Sequence, residues 1–289
     1  MNLHAVEGRS VTLYEEVHTV KTKEKLVTHQ QFLAKLKTVL PSSCHPILVT
    51  DAGFRTTWFK LVESQSWDWV GRVRNRHYMR WTTGGRWFDA KNCYQWATTQ
   101  AKYLGEGVLT VRNQLPCQFV VYNGKLKGRK HKNRLGEPAE NNGSRKKAKG
   151  QREPWLLATS LPVTMTFAKK ITRLYKLRMQ VEEGFRDVKS RRFGLGLSYH
   201  RMSSVMRLQI LLLLASLALV VLWILGLATI ASGHHYQFQT NSVRHKRVLS
   251  IVFIGLQMIH NVRLIISNEH MNTARQEFQS LLQQHQWSL

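Results

Sequence analysis

A chain of 289 residues can bury a sizeable core, which excludes disorder throughout. Its 43 Lys and Arg against 17 Asp and Glu leave a formal charge of +26 at pH 7, an excess that points to a polyanionic partner, nucleic acid first and an anionic membrane surface second. Cys44, Cys93 and Cys117 are the only cysteines and have no metal-ligand spacing, so neither a zinc site nor a disulfide framework is indicated, and the opening segment MNLHAVEGRSVTLYEE lacks the apolar core of a secretory signal.

Along the chain, Val11 and Leu13 alternate with Ser10, Thr12 and Tyr14 after Gly8, which predicts a hairpin. Phe32, Leu36, Val39 and Leu40 recur at helical spacing over 28–40 and stop at Pro41. An apolar strand, Ile47, Leu48 and Val49, then runs into Asp51-Ala52-Gly53. A helix over 54–65 and a strand over 67–73 complete an α/β pattern. Short β-like runs at 78–81, 86–88, 108–111 and 118–122, with turn signals such as Gly84-Gly85, predict an antiparallel insertion. From 124 to 152 there are eleven Lys or Arg and almost no apolar residues, the composition of a basic loop. A strand over 155–161, one long helix over 168–190, an apolar stretch over 208–231 and an amphipathic helix over 248–266 follow. The expected division is 1–75 for the first part of a catalytic domain, 76–152 for the β-rich insertion with its basic loop, 153–266 for the remainder, and 267–289 for a polar tail.

The long helix carries the chemistry. At about 100° per residue, Tyr175, Arg178, Glu182 and Lys189 fall within an arc of about 60° beside the apolar Leu174, Val181, Phe185 and Val188. Glu182 is therefore expected at the edge of the buried face and Glu183 in bulk water. From spacing alone, an ordinary i, i+4 ion pair is the commoner reading of Arg178 and Glu182, and a turn residue the commoner reading of Asp51. Taken together, an acid at a strand end and another on a helix face suit a two-metal phosphoryl-transfer site, in which carboxylates hold two Mg²⁺ ions about 4 Å apart. Arg178 and Lys189 beside them suit phosphates.

The spacing Tyr175-x2-Arg178-x3-Glu182-x6-Lys189 matches the Y-x2-R-x3-E-x6-K pattern, and the chain resembles the insertion-sequence transposases of the IS-four family. VTDAGF around Asp51, EPWLLATSLP around Trp155, RDVKSRRFGLGL after Glu182 and FQTNSVRHKRVLS near the C-terminus are similar to the same group, from about residue 8 to 262. The resemblance implies a ribonuclease-H-like mixed sheet with helices, interrupted by a β-rich insertion, and a DDE-type DNA transposase that cuts and transfers strands. It implies Asp51 and Glu182 as ligands of Mg²⁺, with Mn²⁺ as a substitute. Tyr175, Arg178 and Lys189 would contact DNA near the cleaved phosphate, and Trp155 would stack on a flipped base, its alternative being a core tryptophan. DNA, as transposon ends and target, and a second copy in a synaptic dimer are the implied partners, in a cytoplasmic, nucleoid-associated setting.

The chain departs from the family pattern at one place. No aspartate precedes Asp51, so the first catalytic aspartate and the first strand of the sheet are expected to be missing, and the fragment to be catalytically defective. Two other functions stay open: a non-catalytic DNA-binding or inhibitory transposase remnant, and a basic single-span membrane protein. The last rests on 208–231, long and apolar enough to span a bilayer, although basic residues flank both ends and a buried core helix has the same composition.

Overall fold

β-branched and aromatic residues crowd the strands between residues 47 and 159, and pairing their backbones builds one large sheet. A computed structural model describes residues 2–4, 9–74, 77–124, 153–190, 193–197, 204–239, 246–261 and 263–283. The chain divides into two units, residues 25–178 and residues 1–24 with 179–289. The second unit opens with the expected hairpin, in which β1 (Asn2–His4) pairs antiparallel with β2 (Ser10–Thr12).

In the unit 25–178, α1 (Leu26–Val39) precedes β3 (Ile47–Thr50), α2 (Thr56–Glu63) and β4 (Asp68–Val73). The hairpin-rich part supplies β5 (Tyr78–Trp81), β6 (Gly84–Asp89), β7 (Lys102–Leu109) and β8 (Leu115–Tyr122), and β9 (Trp155–Thr159) returns before α3 (Phe167–Leu177). The seven strands lie in the order β3-β4-β9-β8-β7-β5-β6, with β3 and β4 parallel and the other pairs antiparallel. This mixed sheet with helices is the expected ribonuclease-H-like α/β arrangement. The strands expected as an insertion extend the same sheet, because β8 pairs with β9 and β9 with β4. The basic loop predicted for 124–152 lies, from residue 125 on, outside the described residues.

Side chains alternate across β4, and this sorts the helices onto opposite faces. Val70 packs with Val120, Leu157, Ile171, Leu174 and Tyr175, so α3 covers that face. Trp69, one residue earlier, stacks on Phe59 of α2 with ring centroids 4.0 Å apart. A Cβ on Gly71 would lie 2.4 Å from the Phe59 ring, so only glycine lets α2 lie this close to the strand.

The other unit is helical after the hairpin: α4 (Met179–Lys189), α5 (Val205–Ala231), α6 (Ile251–His260) and α7 (Asn268–Gln283). The Ser204 and Ser250 hydroxyls cap α5 and α6 by accepting the Arg207 and Phe253 amides at 3.4 and 3.2 Å. Helices α5 and α6 meet at two glycines: a Cβ on Gly226 would lie 2.1 Å from the Ile251 carbonyl oxygen, and one on Gly255 2.0 Å from that of Leu222. Helix α7 adds Ala274 and Leu281 to the core around Trp223, Leu227 and Ala228.

Several expectations need correcting. The single helix over 168–190 is two, α3 and α4, separated at Arg178. The 208–231 stretch is helical but not buried all round: Leu222, Trp223, Leu227 and Ala228 are buried, whereas Ile210, Leu213, Leu214, Leu217 and Val221 are exposed. It remains long and apolar enough to cross a membrane by length and composition. The helix expected over 248–266 is confined to 251–260, and the polar tail contains α7.

The glycine crossing yields a stability prediction. Gly226→Ala and Gly255→Ala each force a methyl against a backbone carbonyl, and each should lower unfolding free energy by about 1–3 kcal/mol. The exposed Gln279→Ala should change it by less than about 0.5 kcal/mol. Chemical denaturation followed by far-ultraviolet dichroism compares them, and equal stability of all three variants would show that the helices do not approach as described.

Candidate functional site

Parallel pairing fixes where the charged residues gather. Thr50 of β3 is in register with Gly71 of β4, so the two strands end side by side. Asp51 leaves the first strand at the same sheet end at which Arg72 and then Arg74 leave the second. Strand β9 runs the opposite way and begins at that end, with Tyr122 opposite Trp155 and Val73 opposite Leu156. Open α/β sheets bind ligands beyond the carboxyl ends of parallel strands. Arg72 and Arg74 share the Val70 face of β4, over which α3 brings its final turn.

An open cavity of about 510 Å³ lies there, lined by Asp51, Ala52, Gly53, Arg72, Arg74, Tyr175 and Arg178. Asp51 Oδ1 accepts the Gly53 amide at 2.8 Å, a turn hydrogen bond that orients the carboxylate. A Cβ on Gly53 would come within 3.0 Å of the same oxygen. The turn role and the cavity role thus coincide in one residue. Tyr175 is 2 % exposed. Burial pushes its phenol pKa up against the lowering effect of nearby Arg178 and Arg72, and Asp51 pushes it further up, so the hydroxyl keeps its proton at neutral pH. The Arg178 guanidinium lies 5.6 Å from the Tyr175 ring centroid.

Both cavity arginines of the sheet pair with Glu153, which is not among the residues lining the cavity. Arg74 Nε donates to its Oε2 at 2.5 Å, and Arg72 Nη2 lies 3.7 Å from the same oxygen. Arg72 Nη2 also reaches the Glu153 and Pro154 carbonyl oxygens at 3.4 Å, while its buried Nε has no hydrogen-bond partner among the described residues. The Tyr94 phenol is pushed up to about 12 by burial and by Glu153, partly offset by Arg72 and Arg74.

Three of the expected site residues, Asp51, Tyr175 and Arg178, therefore line one cavity. Trp155 stands beside it without lining it: its ring is half-buried, 4.9 Å from Tyr175 and 5.7 Å from Tyr122. Lys176, next to Tyr175, donates to the Tyr122 hydroxyl at 3.0 Å. Arg72, Arg74 and Glu153 were missed by sequence reasoning. The available signal was the basic i, i+2 pair ending WVGRVR, directly after the strand and helix that follow Asp51.

Glu182 and Lys189 lie on α4, in the other unit. Glu182 is exposed, and Glu183, expected in bulk water, is half-buried and pairs with Arg186 at 3.1 Å. Phe185, expected on the apolar sector, is exposed. The expected burial pattern, with Glu182 at the edge of the buried face and Glu183 in bulk water, differs from the observed one because it assumed one uninterrupted helix anchored along its length. What anchors α4 is Asp187, whose Oδ2 accepts Arg9 Nε at 2.5 Å with side-chain exposures of 3 % and 11 %. Burial raises the Asp187 pKa although Arg9 and Arg186 pull it down. The chain then folds back tightly, since the Leu195 amide donates to the Asp187 carbonyl at 2.8 Å and a Cβ on Gly194 would collide with it.

Whether these residues suit metal ions can be judged from their donors. Two divalent ions in register need several carboxylate oxygens. The cavity offers one carboxylate among three guanidinium groups, and no group of three His, Cys, Asp or Glu able to hold a metal ion occurs among the described residues. The set fits an anion and does not fit a two-ion centre.

The family model described as transposase DDE domain matches residues 3–219. No curated protein matches the chain.

Removing the carboxylate of a buried ion pair leaves its partner's charge uncompensated. Asp187→Ala should therefore destabilise the protein by about 3–5 kcal/mol, and Arg9→Met with Asp187→Leu by less than the sum of the single changes. Thermal unfolding measures both, and a loss below about 1 kcal/mol for Asp187→Ala would remove the anchor assigned to α4.

Proposed function

The chain belongs to the transposase DDE domain family, and we propose that the cavity at its sheet end grips the phosphodiester backbone of DNA. It is a DDE-type transposase, and its partner by family is DNA. The observation that carries the proposal is the convergence of Arg72, Arg74 and Arg178 with the protonated Tyr175 hydroxyl around one concave space. Guanidinium groups match phosphate oxygens in bidentate geometry and keep their charge at any physiological pH. A phosphate oxygen can accept from the phenol, which burial keeps protonated.

The finer placement among insertion-sequence transposases of the IS-four group rests on the Tyr175, Arg178, Glu182, Lys189 spacing. In that reading Asp51 and Glu182 are the acids of the reaction, Lys189 a further phosphate contact and Trp155 the base-stacking ring. The Mg²⁺ or Mn²⁺ the resemblance implies needs several carboxylate oxygens, of which the cavity in the unit 25–178 supplies those of Asp51. The chemistry of the cavity itself is binding and orientation, and we infer a DNA-binding transposase defective in cleavage. Such a chain can occupy transposon ends, or enter a dimer with an intact relative, without cutting. A cytoplasmic, nucleoid-associated setting fits this role.

Full-length protein should bind a short duplex of arbitrary sequence, and Arg72→Ala and Arg178→Ala should each weaken binding and reduce the salt slope of log K by about one. Fluorescence anisotropy at several salt concentrations checks this, and slopes equal to that of the unaltered chain would reject the cavity as the phosphate grip. With Mg²⁺ added, the duplex should remain uncut on a denaturing gel. Nicking that disappears on Asp51→Asn would show that the carboxylates of a working centre are present after all.

A further inference from the structure

We infer that Glu153 is a positioning residue, which holds Arg72 and Arg74 from behind so that their remaining N–H groups face a DNA phosphate. This rests on the reading of the cavity as a phosphate grip.

The geometry separates holding from masking. An acid that masked the arginines would stand between them and the ligand, as part of the cavity wall. Glu153 does not line the cavity, whereas both of its arginine partners do. Its side chain is 17 % exposed and takes Arg74 through Nε, the nitrogen nearest the stem, which leaves the terminal nitrogens of that guanidinium for a ligand. Arg72 is gripped through Nη2 by the carboxylate and by the Glu153 and Pro154 carbonyl oxygens. One residue thus ties two neighbouring cations that would otherwise repel each other, and it does so from the chain entering β9, two residues before Trp155.

The two roles predict opposite signs. Removing an anion close to a DNA site should strengthen binding if the charge merely opposes DNA. Removing a positioning acid should weaken it, because an untethered Arg must be ordered at the moment of binding. In the full-length chain, measured against a short duplex of arbitrary sequence, Glu153→Ala is expected to weaken binding roughly three- to tenfold and to lower the salt slope despite the loss of a negative charge. Glu153→Asp keeps the charge and shortens the reach by one methylene, so it is expected to weaken binding as well, and it carries the test if the alanine variant does not fold. Glu153→Gln keeps the acceptor for Arg74 and should restore affinity to at least the level of the unaltered chain. In an Arg72→Ala, Arg74→Ala background, Glu153→Ala should cause no further weakening.

Tighter binding by Glu153→Ala, or unchanged binding by a folded Glu153→Asp, would overturn the positioning role. If the double arginine variant itself leaves affinity and salt slope unchanged, the phosphate grip fails and the inference falls with it. A weakened double arginine variant beside an unweakened Glu153→Asp rejects the positioning role alone. Thermal midpoints of each variant accompany the binding data, and a lowered salt slope at an unchanged midpoint is the signature a purely structural role would not give.

Discussion

The parallel register of β3 and β4, with Thr50 beside Gly71, determines where each charged group of the cavity lies. A parallel pair ends at one side of the sheet, so the residues that follow both strands must meet there. The register depends in turn on the crossover through α2, which packs closely because Gly71 admits the Phe59 ring and Phe59 stacks on Trp69. Had the register slipped by one residue, Arg72 would point toward α2 and Val70 would leave the core it shares with α3. An apolar packing contact on one face of the sheet thus sets the polar site on the other.

That site joins groups whose charges oppose each other. Three guanidinium groups in one concavity repel, and their partial burial strengthens the repulsion by excluding water. Glu153 offsets part of it from behind and Asp51 part of it from the turn after β3, each held by a specific hydrogen bond. The remaining balance is positive, and this is what the proposed phosphate grip rests on. The same logic holds on a larger scale: with 43 basic and 17 acidic residues, the molecule repels itself unless a polyanion lies against it.

Much of the fold was legible because it follows from local periodicity. The helix ending near Pro41, the strand entering Asp51-Ala52-Gly53 and the strand over 155–161 are recognisable from apolar spacing and punctuation. Asp51, Tyr175 and Arg178, which line one cavity, could be singled out beforehand because a strand end and a helical spacing carry them. Arg72 and Arg74 were not, since a basic pair at the end of a strand looks like a solvated edge until the sheet order is known. Glu153 precedes its strand and matches no pattern. The break at Arg178 was equally hidden: LYKLRMQVEE has neither proline nor glycine at that point, and local propensity favours an unbroken helix.

Packing explains the break. Leu174 and Tyr175 are buried in the core under the sheet, and Asp187 and Val188 are buried among the residues of the other unit. Each end of the run is fixed by its own core, and the Arg178 amide bonds the Tyr175 carbonyl three residues back, tightening the turn between them. Tyr175 and Arg178 therefore owe their orientation to the sheet, and Glu182 and Lys189 owe theirs to the Arg9–Asp187 anchor of α4. Helical periodicity across the whole pattern cannot rank Glu182 above Glu183, because the phase of the second helix is set by a buried carboxylate and not by continuation of the first.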